Sequence, residues 1–177
     1  MKKTVITFGL ISGVIIVTLM FATIPLQNNE ALRGTGELIG YTTMVISLSM
    51  IFFGIKSYRD RILNGVITFG RGLQVGLLIT IIASLSYGFG WEVYLKLIAP
   101  NFMENYASFA LQRAQESGMP AAEFNALREQ MEMYREMYKN PVIRFGMTLM
   151  EIVPVGVLIS LIAAGLLRKK NFVPKTA

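Results

Sequence analysis

The chain contains neither cysteine nor histidine. Those two absences remove disulfides, thiolate and imidazole metal sites, His-ligated haem, and both Ser-His-Asp and Cys-His catalysis. Charge is scarce as well. Asp, Glu, Lys and Arg form 16% of the 177 residues, whereas soluble domains carry about a quarter. No nucleophile–base pair, metal cluster or cofactor motif stands in their place, so the expectation is a protein that is not an enzyme and holds no cofactor or metal.

Apolar residues are what the chain has in excess, at 53% with a mean hydropathy of +0.51. This points to a membrane protein whose first partner is the lipid bilayer. The pI near 9.7 raises the question of nucleic acid. The basic residues answer it, because they sit at the ends of apolar runs rather than along one binding face, as membrane topology requires.

A helix needs about 20 apolar residues to cross the hydrocarbon core. Four runs qualify, at residues 4–26, 38–55, 73–98 and 141–167. Barrel strands are a poor alternative, since they alternate polar and apolar residues and these runs are continuous. The first run exceeds a signal-peptide core and no A-x-A site follows, so it reads as an uncleaved helix. Lys2 and Lys3, then Lys56, Arg59, Arg61 and Arg71, then Arg168, Lys169, Lys170 and Lys175 fall on one side of a four-crossing chain. The positive-inside rule therefore predicts both termini in the cytoplasm of a cell bounded by an inner membrane.

Residues 99–140 lie outside in this threading. Phe102, Tyr106 and Phe109 mark one helical stripe. Gly118-Met119-Pro120 signals a turn. Phe124, Leu127, Met131, Tyr134 and Tyr138 then recur at steps of three and four. The pattern predicts a helical hairpin, with Arg128 and Glu132 paired across one turn. Its Met and Tyr stripe serves either internal packing or a groove for a protein partner or a second copy of the chain. The expected fold is thus all-α: one integral membrane domain over residues 1–177, a four-helix transmembrane bundle with an extracytoplasmic hairpin between helices three and four.

Burial between helices gains little in lipid, so small residues that permit close approach matter more. Gly9 with Gly13, Gly72 with Gly76, Ser84 with Gly88 and Gly156 with Ser160 all have the four-residue spacing. Thr42, Thr43, Ser47 and Ser49 can hydrogen-bond across helices or to their own backbone. Trp91, Tyr87 and Tyr94 suit the outer interface.

Glu151 is the sharpest functional clue. It lies ten residues after Pro141, roughly 15 Å into the fourth helix, near the midplane. A carboxylate there should face the bundle, be paired or be protonated. Pro154 follows, lacking an N–H for the Met150 carbonyl and predicting a kink. Arg144, two turns outward, and Glu92, near the end of the third helix, are the candidate partners. Glu151, Glu92, Arg144 and Pro154 together form either an intramembrane polar site for an ion, proton or headgroup, or a neutral interhelical tie. The matching functions are a structural or accessory membrane protein that binds a partner or itself, and a small ion- or proton-coupled transporter.

The stretches GYTTMVISLSMIFFGIKSYRD, NGVITFGRGLQVGL, WEVY, APNFMENY and MEIVPVGVLISLIAAGLL resemble the bacterial membrane-protein family called domain of unknown function 4199. The similarity spans about residues 5–170. It implies four helices with an extracytoplasmic segment before the last, and brings no activity, cofactor or catalytic residue.

Overall fold

The computed structural model describes residues 1–27 and 35–168. Among them every regular element is a helix. These are α1 (Lys2–Gln27), α2 (Gly36–Leu48), α3 (Met50–Ile62), α4 (Phe69–Leu97), α5 (Phe102–Glu116), α6 (Ala121–Lys139) and α7 (Pro141–Leu167). Four stretches are long and apolar enough to cross a membrane: Lys2–Thr23, Leu38–Ile62, Phe69–Leu97 and Pro141–Leu167. The described residues divide into two compact units, one of Met1–Gly90 with the chain from Leu149 onward, the other Trp91–Thr148. Lys169, Lys170 and Lys175, and most of the first loop, lie outside the described residues.

The second span runs further than the 38–55 expected. Helix α3 continues to Ile62, and Lys56, Arg59, Asp60 and Arg61 belong to it rather than to a link. Lys56 and Asp60, one turn apart at 2.8 Å, support the extra turns, as i,i+4 ion pairs do. The true link is residues 63–68. It turns through Asn64 and Gly65, at φ 54° and 91°. Ser49 separates α2 from α3. Its hydroxyl donates to the Ile46 carbonyl at 2.6 Å, the back-bonding that perturbs helices. Thr42, Thr43 and Ser47 likewise donate to their own helix, at Leu38, Gly40 and Thr43.

In the first unit α1 packs on α2 and α3, and α4 is pressed from several sides. A Cβ placed on Gly9 would lie 2.7 Å from the Ile82 Cβ, and one on Gly13 only 2.5 Å from Ser86. Gly54 brings α3 onto Ile79 in the same way, where an added Cβ would clash with the Ile79 side chain. On the α7 side, a Cβ placed on Gly72 would lie 3.2 Å from Ala164, one on Gly76 would lie 2.7 Å from Ser160, and one on Gly156 would clash with Thr80. Backbones approach at these points because one partner has no side chain. The seam also carries hydrogen bonds. Ser12 donates to the Ser47 carbonyl at 2.8 Å, and the buried Thr80 and Ser160 hydroxyls are 3.3 Å apart. Ile16, Met44, Leu48, Ile51, Ile55, Val75, Ile79 and Ile152 fill the core between them. The outer surface is apolar, with Val14, Val45, Ile46, Ile81 and Leu158 each more than half exposed, as lipid-facing positions are.

One buried charge cluster interrupts this apolar unit. Arg59 is 1% exposed. Its Nε donates to Asp60 at 2.7 Å, and its Nη1 lies 3.5 Å from the Leu167 carbonyl at the end of α7. Helix ends leave their last carbonyls unbonded, so the guanidinium meets a ready acceptor and the negative end of a helix dipole.

Two stability predictions follow from these contacts. Gly156→Val should lower the thermal midpoint in detergent by overpacking, at a cost of about 1–3 kcal/mol. Gly165→Ala should leave it unchanged, since nothing lies within 4 Å of a Cβ there. Asp60→Ala strands two cations and should cost about 3 kcal/mol, read as loss of folded protein on heating; an unshifted midpoint would mean that the cluster is not a stabilising tie.

Candidate functional site

The unit Trp91–Thr148 collects about the last two turns of α4, all of α5 and α6, and the start of α7. Helix α5 ends in a left-handed glycine, Gly118 at φ 70°. The Met119 N–H donates to the Ala114 carbonyl at 3.2 Å and the Gly118 N–H to Gln115 at 3.1 Å, which closes the helix as a Schellman motif. Helix α6 then starts directly after Pro120 and packs on α5. The inward positions of α6 are Phe124, Leu127, Met131, Tyr134 and Tyr138, the whole stripe of the sequence pattern. Met131 is the buried one of the five, Phe124, Leu127, Tyr134 and Tyr138 are half-buried, and Ala107 and Ala114 are the buried residues of α5. The expected Arg128–Glu132 pair is replaced. Glu132 accepts from Arg135 at 2.8 Å, and Arg135 also reaches Glu104 on α5 at 3.2 Å.

Aromatic rings fill the end of the unit. Trp91 packs edge-on against Phe102 with centroids 5.0 Å apart, and its Nε1 donates to the Tyr138 hydroxyl at 3.1 Å. Phe102 stacks with Tyr106 and Tyr138, each at 6.2 Å. Trp91 and Tyr94, two of the three rings expected at the outer interface, are parts of this cluster, and Tyr94 is buried.

Arg144 is the junction of the unit. Its Nε donates to Glu92 Oε1 at 2.8 Å, and its Nη2 donates to the other carboxylate oxygen. Its Nη1 donates at 2.8 Å to the Tyr138 carbonyl, an acceptor in the last turn of α6. The guanidinium also lies 5.8 Å from the Tyr138 ring centroid, within cation–π range. One side chain thus joins α4, α6 and α7 through a bidentate pair, the strongest arrangement available to an arginine and a carboxylate. Asn140 sets its position. The Asn140 Oδ1 accepts from the Val142 N–H at 2.9 Å, with Pro141 at the first helical position, so α7 is capped immediately before Arg144.

Beside this junction lies a cleft of ≈ 670 Å³, lined by Lys96, Arg135, Lys139 and Arg144 among apolar residues including Val93, Phe102 and Pro141. Lys139 pairs with exposed Glu136 at 2.6 Å, and that hydrogen bond holds its ammonium above the usual lysine range. Among the described residues no cluster of acidic side chains could hold a metal ion.

The sequence matches the family described as "Protein of unknown function (DUF4199)" over residues 7–169. The chain belongs to the DUF4199 family. No curated protein and no solved structure matches it.

In this DUF4199 protein the four residues of the expected polar site do not share one role. Glu92 and Arg144 are bonded to each other. Glu151 and Pro154 lie on the exposed face of α7, beside Met150 at 78% exposure. Of the alternatives expected for Glu151, to face the bundle, be paired or be protonated, its exposure removes the first, and the reason is angular. Gly156 and Ser160 must face α4, and Glu151 is five residues from Gly156, about 140° around a helix of 3.6 residues per turn. Helix α7 also runs without interruption through Pro154. Sequence reasoning missed Lys96, Arg135 and Lys139 as cleft residues, because the α5–α6 register that gathers them has no local signal.

A double-mutant cycle on Glu92→Gln and Arg144→Met should return a coupling of about 1–3 kcal/mol, with the losses of the two single variants summing to more than that of the double variant. Additive losses would show that the two groups do not act as a unit.

Proposed function

We propose that this protein crosses the bacterial inner membrane four times with both termini in the cytoplasm. The unit Trp91–Thr148, with its helical hairpin, lies on the outer side. It acts without catalysis, as an accessory protein that binds through this outer unit. The distribution of lysine and arginine supports the threading. The saturated Glu92–Arg144 pair carries the functional reading: with both carboxylate oxygens and three guanidinium nitrogens committed, the pair is a clamp that shapes a surface rather than a station on a path through the bilayer. The cleft beside it is the concave feature that such a surface offers a ligand.

Transport remains the rival, and its specific support is Glu151, a carboxylate on the exposed face of a spanning helix. The chain has no native thiol, so single cysteines report cleanly. Ser108→Cys should react with an impermeant maleimide in intact cells, and Lys2→Cys and Arg168→Cys should react only after permeabilisation. In liposomes neither the native chain nor Glu151→Gln should pass protons or cations. Flux that is present in the native chain and lost in a folded Glu151→Gln variant would replace the accessory reading with transport.

A further inference from the structure

The cleft beside the Glu92–Arg144 clamp has more positive charge than its own carboxylates use. Four cations line it against two acids, Glu92 and Glu104. Arg144 is consumed by Glu92 and a backbone carbonyl. Arg135 spends its terminal nitrogens on Glu104 and Glu132, yet its Nε is buried without a hydrogen-bond partner. Lys139 is held only by a pair in which both side chains are about 70% exposed, at 68% and 71%, and such pairs hold weakly against a competing anion. Lys96 is exposed and makes no ion pair among the described residues. Two lysines and one orphaned N–H therefore border a single cleft.

The rest of the lining is apolar. Val93 and Leu95 on α4 and Pro141 on α7 belong to segments long and apolar enough to span a membrane, and Lys96 is one residue from the end of α4. A site that joins surplus cations to the apolar ends of two spanning helices matches a molecule that is anionic at one end and hydrocarbon at the other. A free anion would gain nothing from the apolar wall, and a neutral lipid would leave the lysines unanswered. The volume suits a headgroup, since ligand clefts run to about 300–1,000 Å³.

We propose that this cleft binds the phosphate of an anionic phospholipid, with Lys96 and Lys139 facing the phosphate and the acyl chains descending past Val93 and the exposed Leu97. The inference rests on the reading above that the ends of α4 and α7 lie at the membrane surface.

The full chain, purified in detergent, is titrated with phosphatidylglycerol or phosphatidylcholine, and lipid retention is read by native mass spectrometry. The anionic lipid should be retained in preference. Lys96→Gln and Lys139→Gln should each weaken that preference roughly fivefold, the effect of one basic residue at an anionic surface. Lys96→Arg should restore it, and Arg113→Gln, outside the cleft, should leave it intact. Both lysines are exposed, so thermal midpoints should not move; a Lys139→Gln chain that failed to fold would leave Lys96→Gln to decide. Equal retention of the two lipids, or an undiminished preference in Lys96→Gln, overturns the proposal. Displacement of bound phosphatidylglycerol by equimolar inorganic phosphate would do so too, by placing the ligand in solution. Detergent exposes both ends of the protein, so a wrong threading would appear in Ser108→Cys labelling and leave lipid retention unchanged.

Discussion

Helix α4 is held where it meets positions that carry no side chain. Gly9 and Gly13 bring α1 onto Ile82 and Ser86, Gly54 brings α3 onto Ile79, and Gly156 admits Thr80 into α7. In water a helix would be retained by the apolar area it hides. In lipid that drive is small, and packing contact with a few hydroxyl hydrogen bonds must suffice. The Thr80–Ser160 and Ser12–Ser47 contacts lie on the same seams, so the polar atoms of the first unit are used where backbones are closest. Much of what remains outward on α1, α3 and α7 is apolar and exposed, Val14, Phe53 and Leu158 among it, as suits helices apolar enough to cross a membrane.

That seam also decides the fate of the polar residues. Once Gly156 and Ser160 face α4, the helical period turns Glu151 and Pro154 away from it. The acid that looked most functional is thus displaced by geometry rather than by chemistry. Arg59 shows the converse. Its position in α3 points inward, and its charge is tolerated because Asp60 and the terminal carbonyl of α7 are at hand. A buried guanidinium needs acceptors on more than one side, and a helix end supplies one without another acidic residue.

Much of this was legible in the sequence. The apolar runs marked four stretches long and apolar enough to cross a membrane, and α7 has the boundaries expected of it. The spacing of Gly9, Gly13, Gly72, Gly76, Gly156 and Ser160 picked out positions at which helices touch, and the α6 stripe from Phe124 to Tyr138 is centred on the buried Met131. The failures have physical reasons. Charge was read as the end of the second helix, but an i,i+4 pair lets α3 carry its charges for two further turns. Glu151 was judged by depth alone, although its angle to Gly156 was already countable. The Glu92–Arg144 bond depends on where Asn140 and Pro141 start α7, and the cleft depends on the pairing of α5 with α6. Neither is encoded by a local pattern.

The clamp and the cleft are linked by that last dependence. Arg144 draws the end of α6 onto α4 by donating to two different acceptors, the Glu92 carboxylate and the Tyr138 carbonyl. Tyr138 in turn carries the Trp91 and Phe102 rings. Lys139 is the next residue along α6, and Lys96 is one turn beyond Glu92 on α4, so the two lysines are positioned by the same bond that neutralises their neighbours. A clamp of one arginine and one glutamate thus separates charge used for structure from charge left for a ligand. Removing it would be expected to disperse the cleft even though neither lysine is touched, and a functional loss in Arg144→Met would have to be traced to lysine placement before it was assigned to the guanidinium itself.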